Sequence, residues 1–241
     1  MTGGLRATTR AKLFGARRRF LSYRFVRGEG LEIGALGSPL RVRNGVKVRY
    51  VDRFDHEGLI EQYPEAHRDQ LVSVDIIDDG EVLSTQPDGS ADFIVANHFI
   101  EHAENTVGTL ENLCRVLRPG GILYLAVPDR HRTFDKDRPP TPLDHIERDY
   151  RDGPGWSRHA HQEEWARLVE RAPESSIVTR VADLERLDYA IHYHVWDRAE
   201  FRALVEHASS RLGLPLEVVT TVRNGFEFIV ILRKTSARAK P

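Results

Sequence analysis

Between Leu31 and Val127 five short apolar runs recur, and the segments between them are helical or mixed rather than tight turns. The runs are Leu31–Gly34, Val46–Asp52, Leu71–Ile77, Ala91–Ala96 and Gly121–Val127. Strands joined by long crossovers lie parallel, because only a short turn brings the chain straight back beside itself. The one clear crossover helix carries Val107, Leu110, Leu113, Cys114 and Leu117 at helical spacing, and Pro119-Gly120-Gly121 stops it.

The end of the chain reads differently. Asp197 with Glu200 three residues on forms a capping box, opening a helix through Phe201, Leu204, Val205 and Leu212 that Gly213 ends. Leu216–Val222 and Phe226–Leu232 then read as strands joined through Asn224-Gly225, a hairpin signal because both residues tolerate positive φ. The expectation is an α/β fold: a mainly parallel, seven-stranded, doubly wound sheet that ends in an antiparallel hairpin. Its body spans residues 29–233, after a basic helical segment (1–28) and before a solvated basic tail (234–241).

One stretch fits no element of the sheet. Residues 129–195 are polar, rich in Pro and Arg, and hold six of the eleven histidines. An insertion of this length directly after a parallel strand reads as a lid or a substrate-binding region. Trp156, Trp165 and Trp196, in or beside it, could form its small core or stack on sugar rings.

Charge sets limits on partners. A formal net charge of -1 and a pI near 6.8 give no global drive toward nucleic acid or anionic membranes. The exception is local, since residues 1–28 carry eight Arg or Lys and no acid, a composition that allows peripheral contact with a membrane surface. No run approaches the roughly 18 apolar residues of a membrane span. A single cysteine, Cys114, forbids an internal disulfide and fits a cytoplasmic setting.

Ligands of open α/β sheets bind beyond the carboxyl ends of the strands. There the sequence offers Glu32-Ile33-Gly34-Ala35-Leu36-Gly37 after the first strand, Asp52 ending the second, Asp75 at the third, and Asn97-His98 after the fourth. In "LEIGALGSPL", "VRYVDRFD", "ADFIVANHFIEH" and "LRVLRPGGILYLAVPD", in that order, the chain resembles the class I S-adenosylmethionine-dependent methyltransferases over about residues 30–128 and the terminal hairpin.

By that resemblance, Glu32, Gly34, Ala35 and Gly37 line the methionine and ribose part of S-adenosylmethionine. Asp52 binds the ribose, Asp75 and Ile76 flank the adenine, and Asn97 with His98 lies near the sulfonium. The chain departs from the family's glycine loop, with Leu36 and Ser38 standing where further glycines are usual. A nicotinamide-dependent sugar-nucleotide enzyme shares the sheet, but neither its G-x-G-x-x-G nor its Tyr-x-x-x-Lys is present. A non-catalytic binding module of the same fold is the other alternative.

The implied reaction is methylation of a hydroxyl on a saccharide or another small molecule, as in glycan biosynthesis. A hydroxyl acceptor has a proton to lose, and histidine titrates near neutral pH. His98 and Asp129, at the ends of the fourth and fifth strands, lead as catalytic candidates, followed by His145 and His194. His102, His131, His159, His161 and His192 are further possibilities. His192-Tyr193-His194, and His159-Ala160-His161 if extended, would each put two imidazoles on one face beside Asp135, Asp144 or Glu163. Spacing alone does not require a metal there, and none is assigned.

Overall fold

The computed structural model describes residues 3–62 and 70–236, with side chains described from Phe14 onward. Its centre is a seven-stranded sheet built from β1 (Glu29–Ile33), β2 (Lys47–Asp52), β3 (Ile76–Ile77), β4 (Ala91–Asn97), β5 (Leu117–Pro128), β6 (Leu216–Asn224) and β7 (Glu227–Lys234). The spatial order is β3-β2-β1-β4-β5-β7-β6. The first five strands are parallel, β7 runs antiparallel to both β5 and β6, and the order reverses between β1 and β4.

The strands alternate as buried strands must. Leu31, Ile33, Ile94, Ala96, Leu123 and Leu125 face α3 (Thr106–Val116) and α7 (Arg198–Arg211), meeting Leu110, Leu113, Cys114, Phe201 and Leu204. Phe93, Val95, Tyr124, Ala126, Ile229 and Ile231 face the other way, onto Leu21 of α1 (Gly3–Phe25) and onto Val26 and Leu40. The expected caps are present. Asn105 accepts from the Gly108 N–H, and Asp197 and Glu200 form the reciprocal box of α7.

Four local expectations are corrected. The third strand is only Ile76–Ile77, because it pairs along one edge with Val51 and Asp52 alone, leaving residues 71–75 without a ladder. The hairpin turn is Gly225-Phe226 rather than Asn224-Gly225: Asn224 pairs with Glu227 in the ladder, and Gly225 takes the positive φ of 67°. Lys234 is not tail but the last residue of β7, its Nζ donating to the Leu117 carbonyl at 2.7 Å. Of the rest of the expected tail, Thr235 donates its N–H to the Pro215 carbonyl, and residues 237–241 lie outside the described residues. His159-Ala160-His161 is helical, within α5 (Arg158–Leu168), so its two imidazoles point apart.

No helix joins β1 to β2. Residues 34–46 form turns that Leu40, Val42 and Val46 pin to the sheet. A third glycine in such loops serves close packing of the helix that follows. Here no helix follows, which gives a physical reason for Ser38 at that place.

Residues 129–195 leave and return at one point, where Asp129 bridges Trp196. Between them lie α4 (Leu143–Asp152), α5 and α6 (Ile177–Arg186), and none of these residues adds a strand to the sheet. Trp165, Leu184, Ile191 and Tyr193 form a small core, while Trp196 joins the main one. Arg138 is buried and anchors the segment, donating to Glu164, Asp135 and the carbonyls of His192 and Tyr193. Trp156 remains 41% exposed, under the Arg148 guanidinium at 3.9 Å. Among the described residues, no helix is long and apolar enough to cross a membrane.

Candidate active site

At the reversal point the register aligns three of the expected residues. Ile33 pairs with Val51 on one side and Ala96 on the other, so Gly34, Asp52 and Asn97 stand level, one residue further on. Gly34 has φ +62°, and a Cβ built on it meets no protein atom within 4 Å. Asp52 accepts the Arg53 N–H with Oδ1 at 2.8 Å, and burial pushes its carboxyl up from the usual range. Asn97 keeps both side-chain amide atoms buried with no partner. Open space at a glycine, a carboxylate suited to a diol and an orphaned amide fit the S-adenosylmethionine that the resemblance implies.

The loop above this row is held from below. Both oxygens of the buried Glu32 carboxylate accept the Leu40 N–H, at 2.8 and 3.1 Å. Burial raises its pKa to about 7, against the pull of the Leu40 hydrogen bond and the Arg18 charge. Glu32 thus shapes the loop instead of facing its open side. Ala35 accepts from the Ser38 N–H, Gly37 is exposed, and the Leu36 carbonyl accepts from the Val72 N–H. Leu36 takes φ +46°, a left-handed conformation where the family commonly has glycine.

This contrast is testable by denaturant unfolding. Gly34→Ala is expected to destabilise the chain by about 1–2 kcal/mol, the left-handed penalty of a Cβ. Leu36→Gly is expected to change stability by less than about 1 kcal/mol, since relief of strain offsets the entropy of glycine.

Asp75 sits lower than expected. It precedes β3, level with Tyr50, and its Oδ2 accepts the Tyr50 N–H at 2.8 Å. Ile76, in β3, packs against the main core. The acids at the carboxyl end of β3 are Asp78, saturated by Ser84 and Thr85, and Asp79, which accepts the Glu81 N–H.

His98 also differs from expectation. It takes φ +51°, its Nε2 lies 2.7 Å from Glu227 Oε2, and its Nδ1 lies 3.5 Å from Glu101 Oε1. Arg18 of α1 closes the network with two hydrogen bonds to Glu227, at 2.8 and 2.5 Å. Burial alone would lower the imidazole pKa, but the two carboxylates outweigh it and raise the value to about 9. An imidazole held protonated has no lone pair with which to take a proton, so this pairing with two carboxylates works against His98 as a general base near pH 7. Glu227, Glu101 and Arg18 were not expected. The legible signal was an acid opening the otherwise apolar "FEFIVIL".

The remaining candidates are dispersed. Asp129 is buried and caps the next turn through the His131 N–H, with Arg132 3.6 Å away. His131 is 3.7 Å from Asp197, and His159 pairs with Glu185 at the surface. His102 Nδ1 meets the Ile191 carbonyl, and His192 Nδ1 meets Asp135. Asp144 accepts the His145 N–H, and Glu163 pairs with Arg167. His145 and His194 meet each other in the insertion, beside His161 and Asp149.

An S-adenosylmethionine-dependent methyltransferase is the class that this strand order and edge define. The chain belongs to the methyltransferase domain family, whose model matches residues 5–208. It is an enzyme, with S-adenosylmethionine as its cofactor.

Two solved structures with TM-scores above 0.5 share the fold. The chain is similar to one from the complex of the Haloferax volcanii Trm112 methyltransferase activator with its candidate methyltransferase. That match has 15% identity, 97% of this chain, 95% of that one and a TM-score of 0.52. A Rhodobacter sphaeroides protein described as a zinc-dependent alcohol dehydrogenase matches at 14% identity, over 90% and 88% of the two chains, with a TM-score of 0.53. A SAM-dependent methyltransferase from Aquifex aeolicus matches at 14% identity, over 87% and 85%, with a TM-score of 0.47. No curated protein matches the chain in sequence.

Proposed function

We propose that the chain methylates a hydroxyl of a small molecule or saccharide, with residues 129–195 acting as the lid that selects the acceptor. The observation that carries this reading is the unpartnered amide of Asn97, level with Gly34 and Asp52 at the point where the strand order reverses. When bound, S-adenosylmethionine supplies an electrophilic methyl group. Asp52 would hold the ribose hydroxyls, Gly34 would leave the backbone room, and Asn97 would orient the reacting end. Positioning and exclusion of water by the insertion, which meets the sheet edge at Asp129, would supply most of the rate. The near-neutral charge of the chain favours a small acceptor over a nucleic acid.

Calorimetry tests the cofactor half. The wild type is expected to bind S-adenosylmethionine or S-adenosylhomocysteine, and Asp52→Ala to weaken binding by about 1–3 kcal/mol, the scale of a lost charge-assisted hydrogen-bond pair. Tight NAD binding in its place would end the reading. The acceptor half is tested by following S-adenosylhomocysteine release across saccharide and small-molecule hydroxyl panels. Turnover on none of them, with turnover on a peptide or an amine, would overturn it.

A further inference from the structure

Three separate segments of the insertion converge on one buried point. His145 and Asp149 lie one turn apart on one face of α4, His161 comes from α5, and His194 comes from the strand-like return toward Trp196. His145 Nε2 lies 2.9 Å from His161 Nε2 and 3.2 Å from Asp149 Oδ2, and His194 Nε2 lies 3.5 Å from that same oxygen. One ligand atom from each residue falls within 4.8 Å of all the others. Ligands at zinc bond lengths stand roughly 3.3 Å apart in a tetrahedron, close to the His145–His161 and His145–Asp149 separations, and His194, whose Nε2 is taken by the Glu104 carbonyl, would offer its free Nδ1 to the ion.

The polar bookkeeping of the cluster is incomplete without a cation. Asp149 and His194 are each 0% exposed, yet Asp149 Oδ2 and His194 Nδ1 have no hydrogen-bond partner. Among the described residues no Lys or Arg pairs with Asp149, so this buried carboxylate has imidazoles and the Ser157 hydroxyl beside it but no permanently charged partner. The surroundings are already fixed as metal ligands usually are: the Ser157 hydroxyl donates to Asp149 Oδ1 at 2.8 Å, and His194 Nε2 meets the Glu104 carbonyl at 3.1 Å. The nearby group of Glu101, His102 and His192 offers three ligand atoms rather than four, and its acid already faces His98 at 3.5 Å.

We propose that His145, Asp149, His161 and His194 bind one divalent transition metal of the zinc class. Three imidazoles and one carboxylate suit zinc and its first-row neighbours, whereas magnesium and calcium take oxygen donors. Four protein ligands close the coordination sphere, so the ion is structural. It fastens α4, α5 and the 191–196 return to one another, and so holds the insertion together above the sheet edge. The site stands independently of the methyl-transfer reading.

The test uses the untagged full chain, stripped with chelator and titrated with zinc alone, then with cobalt as a spectroscopic probe. One equivalent is expected to bind, zinc to raise the melting temperature by several degrees, and cobalt to give the visible absorption of a four-coordinate ion. Asp149→Asn and His161→Ala are expected to weaken binding by about 100-fold or more and to lose the cobalt band. His159→Ala, two residues along α5 and surface-facing, is expected to keep both. Circular dichroism confirms folding of the variants, and the wild-type titration stands whether or not they fold. Substoichiometric binding with no thermal shift in the wild type, or cobalt binding unchanged in folded Asp149→Asn and His161→Ala, would overturn the site.

Discussion

Glu227→Ala is expected to destabilise the fold by about 3–5 kcal/mol, the scale found when one partner of a buried ion pair is removed. Glu227 is fully buried at the start of β7 and serves three groups at once: Arg18, His98 and the Asn224 amide. Burial pushes its carboxyl up, and the Arg18 and His98 hydrogen bonds and charges bring it below the usual range, so it is ionised in the fold. Without it, a guanidinium that is 17% exposed and an imidazolium lose their shared anion. Glu227→Gln should destabilise less, because it keeps the shape and the acceptor oxygen. Urea unfolding followed by circular dichroism measures both. A loss under about 1 kcal/mol for the alanine variant would mean that the network behaves like a solvated surface pair.

The network also shows what a sequence conceals. Strands, caps and the mainly parallel character of the sheet follow from local patterns: alternation in "GILYLAV", the Asp197–Glu200 box, and the apolar spacing of α3. Gly34 and Asp52 are legible for the same reason, since each is defined by its place at a strand end. Arg18 and Glu227 are 209 residues apart, and no periodicity links them. Asp149 stood one helical turn from His145, but a histidine followed four residues later by an acid has meaning only once α5 and the return segment arrive beside it. The short β3 and the shifted hairpin turn have a different origin. Both depend on which backbone groups find a neighbouring strand, and a pattern of apolar residues does not encode that.

His98 supplies the last expected result, a loss of stability by about 2–3 kcal/mol as pH rises from about 6.5 to about 9. Its ring faces Glu101 and Glu227, with His102 and His192 behind Glu101 and Arg18 behind Glu227. A pKa raised from 6.5 to about 9 in the fold means that the folded chain holds this proton more tightly than the unfolded one. The contribution is therefore complete below the unfolded value, declines through the interval and is gone above the folded value. A side chain 33% exposed is partly screened, which keeps the figure below a full conversion of the shift. Glu32, raised to about 7, shifts stability in the same direction at lower pH, so the His98 part is isolated by difference against His98→Gln. The same protonation governs chemistry. Removing a general base usually lowers turnover by about 10²–10⁴-fold, but His98→Gln should stay within about tenfold of wild type at pH 7, because the wild-type ring there is already an imidazolium. Stability that is flat from pH 6.5 to 9 in wild type, or a turnover loss of the general-base size at pH 7, would return His98 to the role of proton acceptor.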